Sequence, residues 1–253
     1  MTRQLKFGIE IEISTKKTML QLCEDLADAG IKVKPSHYGS AVEEKIWKVQ
    51  PDASINGWEI VSPPLNDTEE LITVVNTLRH VTKAIGSKKC GIHVHHDVND
   101  LSIKELKNVY ELYAKYEMNA IYSILPLHRF RSSYCKPIFN EIDNLRSART
   151  RDDFISWHRS RYLSLNHKAY VKYGTLEFRA MASTINIDRI LSWVELTHKM
   201  IEVSTKKERI KQLKAGRTQT EALEIMIEEL DLSEKTSKHY RSMHNYFKRE
   251  RTA

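Results

Sequence analysis

A strand written as Phe7-Gly8-Ile9-Glu10-Ile11-Glu12-Ile13 leaves this chain few options. Side chains along a strand alternate faces with period two. The β-branched Ile9, Ile11 and Ile13 therefore share one face, and Glu10 and Glu12 share the other. On an exposed strand this is ordinary amphipathicity. In a strand that opens a core, two neighbouring carboxylates repel and call for a cation.

The same pattern returns twice. In Gly91-Ile92-His93-Val94-His95-His96 the pair His93 and His95 alternates with Ile92 and Val94. In Gly174-Thr175-Leu176-Glu177-Phe178-Arg179 the pair Glu177 and Arg179 alternates with Leu176 and Phe178. Each motif alone has an ordinary explanation: a solvated strand face, hydrogen-bonded histidines, a cross-strand charge pair. Together they predict one sheet with a core face and a polar face floored by carboxylates, imidazoles and a guanidinium. Such a face suits a divalent metal and an anionic ligand.

Length supports a sizeable core: 253 residues hold one large domain or two small ones. The N-terminus leads directly into the first strand, with no signal-peptide h-region and no apolar run long enough for a bilayer. Cys23, Cys90 and Cys135 form no CxxC pattern, so the expected setting is a reducing cytoplasm. A net charge of +7 suits an anionic ligand without selecting one.

Between these motifs the periodicity predicts helices over 16–29 (capped by Thr15 and ended by Gly30), 68–85, 103–124 and 187–203. Extended segments are predicted at 31–33, 45–50 and 57–61, and a charged helix within 140–165. The third paired strand reads as part of a hairpin over 166–182 that turns at Tyr173-Gly174. Asp52, Ser54 and Glu59 are further polar candidates near strand ends. Arg129 and Arg131, in a loop with Ser132, Ser133 and Tyr134, could grip a phosphate or carboxylate. Past Thr205 the chain becomes charged and helical: a helix from Lys206, an amphipathic one over 218–230, and one capped by Ser233. Residues 235–251 carry six Lys or Arg against one acid. The expected division is a catalytic domain over 1–204 and a basic helical appendage over 205–253.

The ordered set Phe7–Glu12, Asp52-Ala53-Ser54, Gly57–Pro63, Cys90–His95 and Gly174–Arg179 resembles the amidoligase family. Arg129–Cys135 and Arg161–Asn166 are similar to it too, and the resemblance spans about 5–203. These are carboxylate–amine ligases of the glutamine synthetase and glutamate–cysteine ligase superfamily, found in bacteriophage and bacterial gene clusters. The resemblance implies an α+β fold: a curved, mainly antiparallel funnel with helices on its outer face. It implies ATP and Mg²⁺ (or Mn²⁺). It implies Glu10, Glu12, Glu59 and Glu177 as metal ligands, with His93 or His95 on metal or nucleotide phosphate. It also implies Arg179 and Arg131 as neutralisers of the transferred phosphoryl group, and Asp52 as a helper on the metal or amine side.

The chemistry is consistent with this. Amide formation needs an activated carboxylate, and phosphoryl transfer needs positioning and charge neutralisation rather than a protein nucleophile. No GxxxxGK[ST] loop is present in the sequence, so ATP would be held otherwise. The acid and amine substrates (small molecule, peptide or protein terminus) and the oligomeric state stay open, and no membrane partner is expected. Two other readings remain: a zinc hydrolase, amidase or nuclease, built on His93, His95 and Glu177, and a nucleic-acid binder working through 205–253.

Overall fold

The computed structural model describes residues 4–52, 55–157 and 160–252. Ala53 and Ser54, part of one motif, lie outside the described residues, as do His158 and Arg159. The chain forms two compact units, one of residues 4–95 with 181–191 and one of residues 96–180 with 192–252.

The first unit is a sheet with helices. Its strands are β1 (Phe7–Ile13), β2 (Val33–Pro35), β3 (Trp47–Pro51), β4 (Trp58–Val61) and the start of β5 (Ile92–Asp97). Their order is β2-β3-β4-β1-β5. β4 runs antiparallel to β1 and β3, whereas β2 runs parallel to β3. Ile9, Ile11 and Ile13 are fully buried, with Val49 and Ile60 on the same face. Helices α1 (Met19–Asp28) and α2 (Glu69–His80) bring Leu22, Leu26, Leu71, Val75 and Leu78 into this core. Trp47 Nε1 donates to Glu70 on α2 at 3.0 Å, which fixes α2 over the isoleucine side.

The cap of α1 is Thr18, not Thr15. Thr18 and Gln21 satisfy each other's backbone N–H groups, a reciprocal pair that Thr15 has no partner to form. Gly57 precedes β4 where no side chain fits: a Cβ there would lie 1.9 Å from the Ile13 carbonyl oxygen.

The second unit is mainly helical. The predicted helix 103–124 is three pieces: α3 (Ile103–Tyr116), a π-helical turn (Glu117–Ile121) and a 3₁₀ turn (Tyr122–Ile124). Ser102 and Glu105 form its capping box. Next come α4 (Leu127–Phe130), then α5 (Ile142–Arg146) and α6 (Arg151–Ser156) where one charged helix was expected. The hairpin expectation also needs correction. β6 (Leu165–Asn166) and β7 (Thr175–Phe178) are antiparallel, but α7 (Lys168–Tyr173) joins them in place of a tight turn. Gly174 ends that helix at φ +68°, left-handed backbone that glycine accepts without strain.

α8 (Ile187–Thr205) runs on to 206–217, which is not helical as expected; α9 (Gln219–Glu229) and α10 (Glu234–Thr252) follow. α9 packs on the π-helical turn and α10 on the 3₁₀ turn. Arg251 donates to the carbonyls of Tyr122 and Leu125, and Glu229 binds Lys115, Lys207 and Tyr116. These helices share the unit's core through Leu223, Met226, Tyr240 and Phe247. Cys23, Cys90 and Cys135 are free and buried. No described helix is long and apolar enough to cross a membrane.

Candidate metal centre

The acidic pair of β1 meets a third acid across the sheet. Glu12 is the register partner of Glu59 on β4, and Glu59 is the partner of Gln50 on β3. Register partners point to the same face, so Glu12, Glu59 and Gln50 form a row across three strands. One row along, Glu10 and Lys48 both oppose Val61. Glu12, Glu59, Gln50 and Lys48 are each at most 6% exposed.

The histidines of β5 join the same face. His93 Nδ1 lies 3.0 Å from Glu10, and its Nε2 lies 3.7 Å from Glu12. His95 Nε2 lies 3.3 Å from the other oxygen of Glu10. A Cβ added at Gly8 would stand 3.8 Å from the His95 Cβ. Glu12 also accepts from the backbone N–H of Gly91. The β1 and β5 motifs of the sequence are thus one cluster, and Glu59 belongs to it.

Burial raises the cost of this many charges. At Glu59, burial and then the charge of Glu10 push the carboxyl well above the usual range, against the N–H donated by Gln50. At Glu10, burial pushes up, but the imidazoles of His95 and His93 more than reverse it and hold the carboxyl well below its usual value. Lys48 is lowered, first by burial. Its Nζ donates to the carbonyls of Ser40 and Ala41, at 2.8 and 3.0 Å. Asp52, past the end of β3, adds its charge to those acting on Glu59.

Ligand atoms of Glu12, Glu59 and His93 all lie within 4.8 Å of one another. An octahedral Mg²⁺ holds its donors at about 2.1 Å, so they stand roughly 3–4 Å apart. The donor set, two carboxylate oxygens and an imidazole with Glu10 adjoining, is of the kind that holds a divalent cation.

The second unit holds the other residues singled out. Glu177 is buried; it accepts from Asn166 Nδ2 at 2.6 Å and pairs with Arg179. Arg179 Nε also donates to the carbonyl of Tyr134, at 3.3 Å. Arg129 is buried, with Nε and Nη2 donating to the carbonyls of Ala180 and Arg179, so part of its donor fork positions backbone. Arg131 is exposed.

Two residues escaped the sequence reading, Lys48 and Gln50. The signal was there: Trp47-Lys48-Val49-Gln50 alternates as the other motifs do. A lysine and an amide are common on solvated strands, however, and only the long-range register shows what they face.

Comparison with protein families adds the deciding observation. Residues 3–201 match the family described as "Putative amidoligase enzyme". The chain belongs to this family. Membership supports an enzyme, and the matched stretch carries both the β1–β4–β5 cluster and the Glu177–Arg179 pair. The whole segment after α8 lies beyond the match. No curated protein matches the chain.

Proposed function

We propose that the chain is an ATP-dependent carboxylate–amine ligase that forms an amide bond through an acyl phosphate. The observation that carries this is the buried Glu12–Glu59–His93 cluster in a member of the amidoligase family.

Glu12, Glu59 and His93, with Glu10 beside them, would hold Mg²⁺ (or Mn²⁺). That ion would supply charge neutralisation for the phosphates of ATP. His95 holds Glu10 ionised and turned toward His93. Gln50 orients Glu59 through its N–H. We assign phosphoryl neutralisation to Arg179 and Arg131, cation binding also to Glu177, and phosphate contacts to Arg129, His93 and His95, by family resemblance. The chemistry falls on the substrates. A carboxylate oxygen attacks the γ-phosphorus and ADP leaves. An amine attacks the acyl carbon and phosphate leaves, while the amine proton passes to a carboxylate such as Asp52. A funnel-shaped sheet, a cytoplasmic setting, small-molecule, peptide or protein-terminus substrates, and catalytic residues confined to 1–204 belong to the same proposal.

The test is a screen of acids and amines for ADP release, then an ¹⁸O-labelled carboxylate. Transfer of one ¹⁸O to phosphate for each amide supports the acyl phosphate. Amide or nucleic-acid hydrolysis that ignores nucleotide and stops with a zinc chelator would instead support the hydrolase.

A further inference from the structure

Gln50 is nine-tenths buried on the polar face of the sheet. Its Nε2 donates to Glu59 at 2.5 Å. Its other polar atom, Oε1, is buried and accepts no hydrogen bond among the described residues. A buried amide oxygen left this way costs roughly 1–3 kcal/mol. Buried acceptors are almost always satisfied, so this oxygen calls for a partner that the described residues do not supply. The amide occupies the row of Glu59 and Glu12, the two carboxylates of the cluster. Rotation about the last side-chain bond exchanges oxygen and nitrogen at little cost, since amide torsions are broad and two-fold.

We propose that Gln50 is a further ligand of this centre, giving its Oε1 to the divalent cation as a neutral oxygen. The proposal rests on the cation reading of Glu12, Glu59 and His93. The physical logic is charge. Three carboxylates already face the site, and a fourth would raise the repulsion that the metal-free protein must bear. An amide adds an oxygen of the kind that Mg²⁺ and Mn²⁺ prefer without adding charge. It also has a role when no cation is bound, because the same group then donates to Glu59. Gln50 thus serves both states of the site, as donor to the carboxylate in one and as oxygen ligand in the other.

The test separates a ligand from a residue that only steadies Glu59. Mn²⁺ affinity of the full chain is measured by electron paramagnetic resonance for wild type, Gln50→Met, Gln50→Glu and Glu12→Gln. Gln50→Met keeps the volume and loses the oxygen, and should weaken Mn²⁺ about tenfold. Gln50→Glu loses the N–H donor and gains an anionic oxygen, and should tighten Mn²⁺ while lowering the Tm of the metal-free protein. Weaker Mn²⁺ binding by both Gln50 variants would overturn the proposal, because it would mark Gln50 as a positioning residue; unchanged affinity in both would overturn it too. In either case Glu12→Gln still binds weakly, so the cation reading survives. If wild type binds no Mn²⁺, both fall.

Discussion

Glu12 and Glu59 are opposite residues of one antiparallel strand pair, and both are buried. Like charges directly opposite destabilise a sheet. The pair is therefore a cost in the metal-free chain and an advantage once a cation lies between them. Glu59→Gln should leave the metal-free protein as stable as wild type or about 1 kcal/mol more so. Wild type should gain about 2.7 kcal/mol at a hundredfold excess of Mn²⁺ over its Kd, and the variant should lose most of that gain. Thermal unfolding with and without Mn²⁺ measures both.

Glu117 gives the second unit a pH dependence. It is fully buried in the π-helical turn and accepts from the N–H groups of Ile138 and Phe139 and from Ser164. Burial nevertheless pushes its carboxyl up to about 7. The folded state thus holds this proton more tightly than the unfolded state. The stabilisation is complete below the ordinary carboxyl pKa and is lost as pH rises to about 7, by about 3 kcal/mol. Urea unfolding at pH 4.5, 5.5, 6.5 and 7.5 should show this fall for wild type relative to Glu117→Gln, which has no such proton. Parallel curves for the two proteins would contradict it.

Much of the site is legible in the sequence because a strand sorts its side chains locally. Ile9, Ile11 and Ile13 against Glu10 and Glu12 need only the period of two, and so do Ile92 and Val94 against His93 and His95. What the sequence hides is long-range. That Glu12 opposes Glu59 depends on a pairing made across the intervening α1, β2 and β3. The link between β6 and β7 misled because α7 has only six residues, too few for a period to show. The π-helical turn at Glu117 is invisible because its residues fit an ordinary helix, and only the partners of a buried carboxyl mark it. Lys206–Lys211 has helical composition but no apolar stripe to bury, and it stays non-helical.

Gly57→Ala should cost about 3 kcal/mol, the scale of an overpacked core. The added methyl would meet backbone, the Ile13 carbonyl, and backbone cannot rotate away as a side chain can. Denaturant unfolding reads the loss. The variant should also bind Mn²⁺ more weakly, since moving β4 moves Glu59. A stability within 0.5 kcal/mol of wild type, roughly the scatter of surface substitutions, would show that β4 yields freely.

Truncation after Ser204 should leave a poorly packed protein. It removes Glu229 from Lys115 and Tyr116, Arg251 from the carbonyls after the π-helical turn, and the apolar faces of α9 and α10. The expected result for 1–204 is dye binding by exposed apolar surface and a lost near-ultraviolet dichroism signal. A truncated chain that melts cooperatively at the full-length Tm would show instead that 205–253 is a separable appendage.

The central claim is that this polar face serves a nucleotide and a divalent cation. Calorimetric titration of ATP with Mg²⁺ into the full chain, with Glu12→Gln alongside, tests it before any substrate is known. The account predicts saturable binding that needs Mg²⁺ or Mn²⁺ and weakens at least tenfold in the variant, about 1.4 kcal/mol. Absence of nucleotide binding with either ion, together with tightly held zinc found by metal analysis, would contradict it.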